Sequence, residues 1–184
     1  MRSPPVHGTR QVLNRALNLQ RFSLAKYLRY ARPWASEADH VLLAVVFRIA
    51  QVQKYNATRI GDLLVERHGS AEPGSFPLHF TGLNDLSIRH LAPLVVKDLQ
   101  RVIHDLRSCA QALRDDSTAL ELVEAILRDE ERHLQILCEE LGHLNESDRA
   151  DQQSVSILNR RILHPQPNRR PRRVHDVREE LVPA

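Results

Sequence analysis

Four long segments of this chain carry their apolar residues at alternating steps of three and four, the spacing that gathers them on one side of a helix. In the first segment the stripe is Leu13, Leu17, Gln20, Leu24 and Tyr27. The second offers Leu42, Val46, Ile49, Gln53, Asn56, Ile60 and Leu63. The third has Val95, Asp98, Val102, Leu106, Cys109 and Leu113, and the fourth Val123, Leu127, Glu130, Leu134, Leu137 and Leu141. Helices in a bundle present such stripes to one another, and strand-like alternation is nearly absent. The chain therefore reads as all-α.

Breakers and caps set the expected boundaries. The first helix runs from about Thr9 to Ala31 and is closed by Pro33, since a proline disfavours helical backbone in the residue before it. The second starts near Ser36, where Asp39 three residues on resembles a capping box, and stops at Gly69. Residues 69–83 are rich in Gly, Pro and Ser and read as a connection. The third helix opens at Asn84 or Asp85 and reaches about Leu113, with Pro93 imposing a kink or a short preceding helix. Asp115, Asp116 or Ser117 caps the fourth, which is expected to end near Gly142. Two short links and one long middle connection describe an antiparallel four-helix bundle with one long crossover between helices two and three.

Composition narrows the setting. A length of 184 residues suits one well-buried core rather than two. The N-terminal MRSPPVHGTRQ lacks the apolar core of a signal peptide, and no apolar run is long enough to cross a membrane. The two cysteines, Cys109 and Cys138, fall inside helical patterns and read as small apolar residues. A cytoplasmic protein is expected. Up to Leu144 the chain has 18 basic and 17 acidic residues, a nearly neutral body. The basic excess belongs to the tail, where Arg160, Arg161, Arg169, Arg170, Arg172 and Arg173 follow one another without an intervening acid. The expected domains are thus a helical body over 9–143 and a largely flexible Arg/Pro-rich extension over 144–184.

Near mid-height every stripe is interrupted by a polar residue: Gln20, then Gln53 and Asn56, then Asp98 with Asp105 beside it, then Glu130 with His133 at the edge of the stripe. Antiparallel packing brings such central positions to one level, so a shared polar layer is expected. Glu130 and His133 in ILRDEERH form Glu-x-x-His, half of a carboxylate-bridged metal motif.

Here the sequence resembles a known family. LNRALNLQRFSLAKYLRYA is similar to the opening of bacterioferritin and related ferritin-like proteins, where LNxxLxxE leads to a tyrosine seven residues on. DLQRVIHDLRSCAQALRDDSTALELVEAILRDEERHLQIL is similar to their third and fourth helices. The resemblance implies a ferritin-like bundle over about residues 10–143. In that family the bundle centre holds two irons between Glu, Glu-x-x-His, Glu and Glu-x-x-His on successive helices. Carried across position by position, the first glutamate falls on Gln20, the second pair on Gln53 and Asn56, and the third glutamate on Val102. Only Glu130 and His133 keep the pattern. The resemblance also sets Tyr27 beside the centre, where its hydroxyl is expected to join the polar layer.

Three functional readings follow. The first is a ferritin-like binding or structural module that has lost di-iron oxidase and storage chemistry, with no cofactor. The second is a rebuilt site for iron or another divalent metal, in which Asp98, Asp105 or His104 helps Glu130 and His133. The third is a protein that meets nucleic acid or an acidic partner through its arginine tail, although no recognition motif accompanies that tail. His40, His68, His79, His90, His143 and His164 fall at helix ends and in loops and read as surface residues. Self-association is implied by the resemblance, and Val41, Leu43, Val45 and Phe47 offer the second helix a further apolar surface.

Overall fold

A computed structural model describes residues 6–163. Five α-helices make up the described chain: α1 (Val6–Arg21), α2 (Leu24–Ala31), α3 (His40–His68), α4 (Ile88–Ala112) and α5 (Ser117–Leu163). Short 3-10 turns occupy Glu37–Asp39 and Leu78–Leu83. Among the described residues there is no strand, only an isolated bridge between Trp34 and Ser87. No helix among them is long and apolar enough to cross a membrane.

The expected first helix is two helices. Ser23 leaves helical backbone (φ −82°, ψ 156°) and starts α2 as its N-cap, accepting from the Lys26 N–H at 3.3 Å. An N-cap serine satisfies one of the donors that a helix start leaves open. Another, the Leu24 N–H, donates to Asp98 Oδ2 at 2.8 Å. The apolar rhythm continues through the break, with Leu17, Leu24 and Leu28 all buried, and so conceals it in the sequence.

The other boundaries follow local chemistry. The Ser36 N–H and Oγ both donate to Asp39 Oδ2, at 3.3 and 2.5 Å, and the resulting box heads the 3-10 turn that leads into α3. Gly69 closes α3 in the left-handed region (φ 75°), where glycine escapes a Cβ penalty. α4 begins later than expected, because Asp85 is left-handed (φ 65°) and Ser87 is the cap, accepting from the His90 N–H. Pro93 lies within α4, close to its start. Asp116 caps α5 by accepting from the Ala119 N–H at 3.1 Å. α5 does not stop at Gly142 but runs to Leu163; a glycine weakens a helix interior by about 1 kcal/mol without ending it. The boundary between the chain's two compact units falls inside this helix, between Glu146 and Ser147. The extension expected over 144–184 is therefore helical as far as Leu163, and its residues 164–184 lie outside the described ones.

The buried apolar residues form two clusters. One joins Leu13, Leu17, Ile60, Leu64, Leu106 and Val123 with their neighbours; the other joins Leu28, Leu42, Ile49, Leu91, Val95 and Leu137 with theirs. Chain direction can be read from them. α1 with α2, and likewise the first part of α5, pass from the first cluster to the second, whereas α3 and α4 pass back. The connection between α3 and α4 therefore crosses the molecule's length. It is anchored by Asn14, whose Oδ1 accepts the Glu72 N–H at 2.8 Å, and by the buried ring of Phe80. Gly74 passes so close to α1 that an added Cβ would sit 2.2 Å from Asn18 Oδ1, so a larger residue there would have to displace the Asn18 and Phe22 side chains.

Candidate functional site

Between the two apolar clusters lie the buried polar residues Gln20, Ser23, Gln53, Asn56, Glu130 and His133. Ser23 is set there by the α1–α2 break, the others by helical periodicity. Gln20 ends the inward face of α1, Gln53 and Asn56 lie one turn apart on α3, and Glu130 and His133 one turn apart on α5. Burying such groups requires partners, since an unmatched polar group costs about 1–3 kcal/mol and a charge several times more.

Glu130 is the focus. It has no exposed surface, and its two carboxylate oxygens are divided between two helices. Gln20 Nε2 donates to Oε1 at 2.9 Å, and Gln53 Nε2 donates to Oε2 at 3.1 Å. Gln53 is itself held by Ser23 Oγ, which donates to its Oε1 at 2.5 Å. The chain Ser23–Gln53–Glu130–Gln20 thus joins the α1–α2 break, α3 and α5 in one network. His133 Nδ1 stands 3.6 Å from Glu130 Oε2, beyond hydrogen-bond range, and is buried without a hydrogen-bond partner.

The other candidates are placed elsewhere. Asn56 does not meet Glu130; its Nδ2 donates to Asp129 Oδ2 at 3.3 Å, and Arg59 donates to its Oδ1 at 3.4 Å. Asp98 is a helix cap and an ion-pair partner, taking the Leu24 N–H on one oxygen and Arg101 on the other at 2.7 Å. Asp105 pairs with Arg15 at 2.7 Å. Both aspartates sit at the edge of the core, because α4 turns Leu99 and Val102 inward instead. His104 is exposed. Tyr27 does not join the layer: its hydroxyl donates to Asn84 in the crossover, and its ring stacks near Phe76 and Phe80. His133, expected at the edge of its stripe, is buried to 8% exposure. Among the described residues no three His, Cys, Asp or Glu side chains gather to hold a metal ion.

The donor set can be weighed against the di-iron centre that the sequence resemblance implies. Two ferrous ions bring four positive charges and call for several carboxylates. This layer offers one carboxylate and one imidazole; Val102 supplies no donor, and the nitrogens of Gln20 and Gln53 already face Glu130. These residues do not fit such a centre.

Ser23 and Asp129 were not foreseen as members of the layer. Ser23 lies one turn beyond Gln20 and immediately before an apolar run, which is the position of a cap and could have marked it. His133 also lines a cleft of about 360 Å³ between α3 and α5. Of the arginine tail, Arg160 and Arg161 lie near the end of α5, while Arg169, Arg170, Arg172 and Arg173 fall outside the described residues. No family model, curated protein or solved structure matches the chain.

Proposed function

We propose that this chain is a ferritin-like four-helix bundle whose metal centre has been replaced by an amide-filled polar layer, and that it serves as a binding or structural module rather than an oxidase. One observation carries the reading. The two glutamines at positions where the family places iron-binding glutamates both turn their N–H groups onto the one glutamate that remains. A metal-binding oxygen donor would face an ion; an amide N–H faces an anion. Exchanging Glu for Gln removes the repulsion among buried carboxylates while keeping the shape of the side chain and its hydrogen bonds. The chain direction, with two antiparallel pairs joined by one long crossover, agrees with this architecture.

The test is iron loading. Protein purified from cells is exposed to ferrous iron in air, then assayed for metal by elemental analysis and for oxo-bridge absorbance, alongside His133→Ala. The expected result is no stoichiometric iron and no such absorbance in either protein. Two irons per chain, lost in His133→Ala, would restore oxidase chemistry and overturn the reading. A single tightly held metal, also lost in the variant, would instead favour a rebuilt mononuclear site.

A further inference from the structure

We infer that the cleft between α3 and α5 is a binding site for a small organic anion with an apolar body, of the class of aromatic carboxylates. The cleft has about 360 Å³ and is walled by Val45, Ile49, Val52 and Ile136. That volume lies within the range of small-molecule pockets, which combine apolar walls with a few polar groups. Ile136 is 41% exposed, an apolar surface that an occupant would cover.

The polar groups favour a negative ligand. Arg48 and Arg132 line the cleft from α3 and α5, both exposed, and among the described residues neither side chain has an ion pair or hydrogen bond. Elsewhere in the body, by contrast, Arg15 is paired with Asp105 and Arg107 with Glu131. The cleft's own carboxylate, Asp129, accepts from Asn56 Nδ2 at 3.3 Å on one oxygen, and against its single negative charge stand two guanidinium groups. His133, nine-tenths buried, supplies the inner wall, while its Nδ1 faces Glu130 in the layer behind. A carboxylate between the two guanidinium groups would take charge-assisted hydrogen bonds, while its ring lies on the valine and isoleucine walls.

This site rests on the amide-filled reading of the layer, because His133 must be free of iron to serve as a wall. The full chain is titrated with 2-naphthoate by calorimetry, on a sample whose metal content is measured in parallel. Saturable binding at one site per chain is expected, with Kd below about 1 mM. The neutral 2-naphthamide, and 2-naphthoate with the Arg48→Ala/Arg132→Ala variant, should each bind at least about tenfold more weakly. Both arginines are exposed and unpaired, so that variant should melt like the parent. Arg114→Ala/Arg128→Ala removes the same charge outside the cleft and should leave binding unchanged.

Three results would sink the site in iron-free protein: no saturable binding, equal binding of the amide, or undiminished binding by the cleft variant. They would leave the reading of the layer intact. Two irons per chain would overturn that reading whatever the naphthoate does.

Discussion

Glu130 has no exposed surface and lacks a hydrogen-bonded cation, since His133 Nδ1 stops 3.6 Å away. Its charge is instead met by two amide N–H groups from different helices. Hydrogen bonds to an ionised acceptor are roughly twice as strong as neutral ones, which is why two of them can hold a carboxylate in this core. The same geometry makes the network intolerant of a second acid. In Gln53→Glu the group facing Glu130 Oε2 becomes an acceptor, and two buried carboxylates meet with no cation between them. A loss of about 3–5 kcal/mol at neutral pH is expected by urea unfolding. Gln53→Ala, which only withdraws a donor, should lose about 1–3 kcal/mol. Equal stability of Gln53→Glu and the parent would mean that Glu130 is not held as a carboxylate acceptor. The stripes in the sequence placed Gln20, Gln53, Asn56 and Glu130 inside, because steps of three and four fix a helix face whatever the residue. They did not reveal which amide would reach Glu130. That depends on side-chain direction: Asn56 is one methylene shorter than glutamine and finds Asp129 instead.

At the scale of elements, the caps rather than the stripes decide where helices begin. The Ser36–Asp39 box was legible because its residues and spacing are local. The break after Arg21 was not, because Asp98, which takes the Leu24 N–H, comes from a helix 74 positions later in the chain. The continuation past Gly142 escaped for a related reason, since glycine ends a helix only where the backbone turns left-handed, as at Gly69 and not here. Asp39 shows what a cap contributes. Burial alone would raise its pKa, but hydrogen bonds from Ser36 and Arg89, together with the Arg89 charge, outweigh burial and lower it below its ordinary value. Arg89 belongs to the first turn of α4, so this carboxylate ties the starts of α3 and α4 together at 2.8 Å. A group with a depressed folded pKa adds stability above its unfolded pKa, about 3.9, and loses it as pH falls through the folded value. Asp39→Asn should therefore be less stable than the parent by about 1–3 kcal/mol at pH 7. That gap should close as the pH is taken below about 4, and urea unfolding at neutral and acid pH would show it. A gap that persists unchanged in acid would assign the effect to packing instead of charge.

For the whole molecule, two apolar clusters carry the core and a polar sheet of side chains separates them. A purely apolar centre would avoid the cost of burying a carboxylate, so the layer is the feature of this chain that stability alone does not account for. On the proposed reading it is the remainder of a metal centre. The combined variant Gln20→Glu/Gln53→Glu/Asn56→His/Val102→Glu puts the family's residue types back at the four positions where this sequence departs from them. Together with Glu130 it crowds four carboxylates into a buried layer. In chelator the variant should be destabilised by more than the roughly 3–5 kcal/mol expected of a single buried unpaired acid. A ligand that binds only the folded state raises stability by RT ln(1 + [L]/Kd), so anaerobic ferrous iron should restore much of what the acids remove. The parent's melting temperature should be indifferent to the same iron. Thermal unfolding of both proteins with and without ferrous iron measures this directly. Iron-dependent stabilisation confined to the variant is the signature of a bundle that kept its geometry and exchanged its ligands. A variant that iron does not rescue would mean that these four positions never faced one another around a metal, and the resemblance would then extend to the stripes alone.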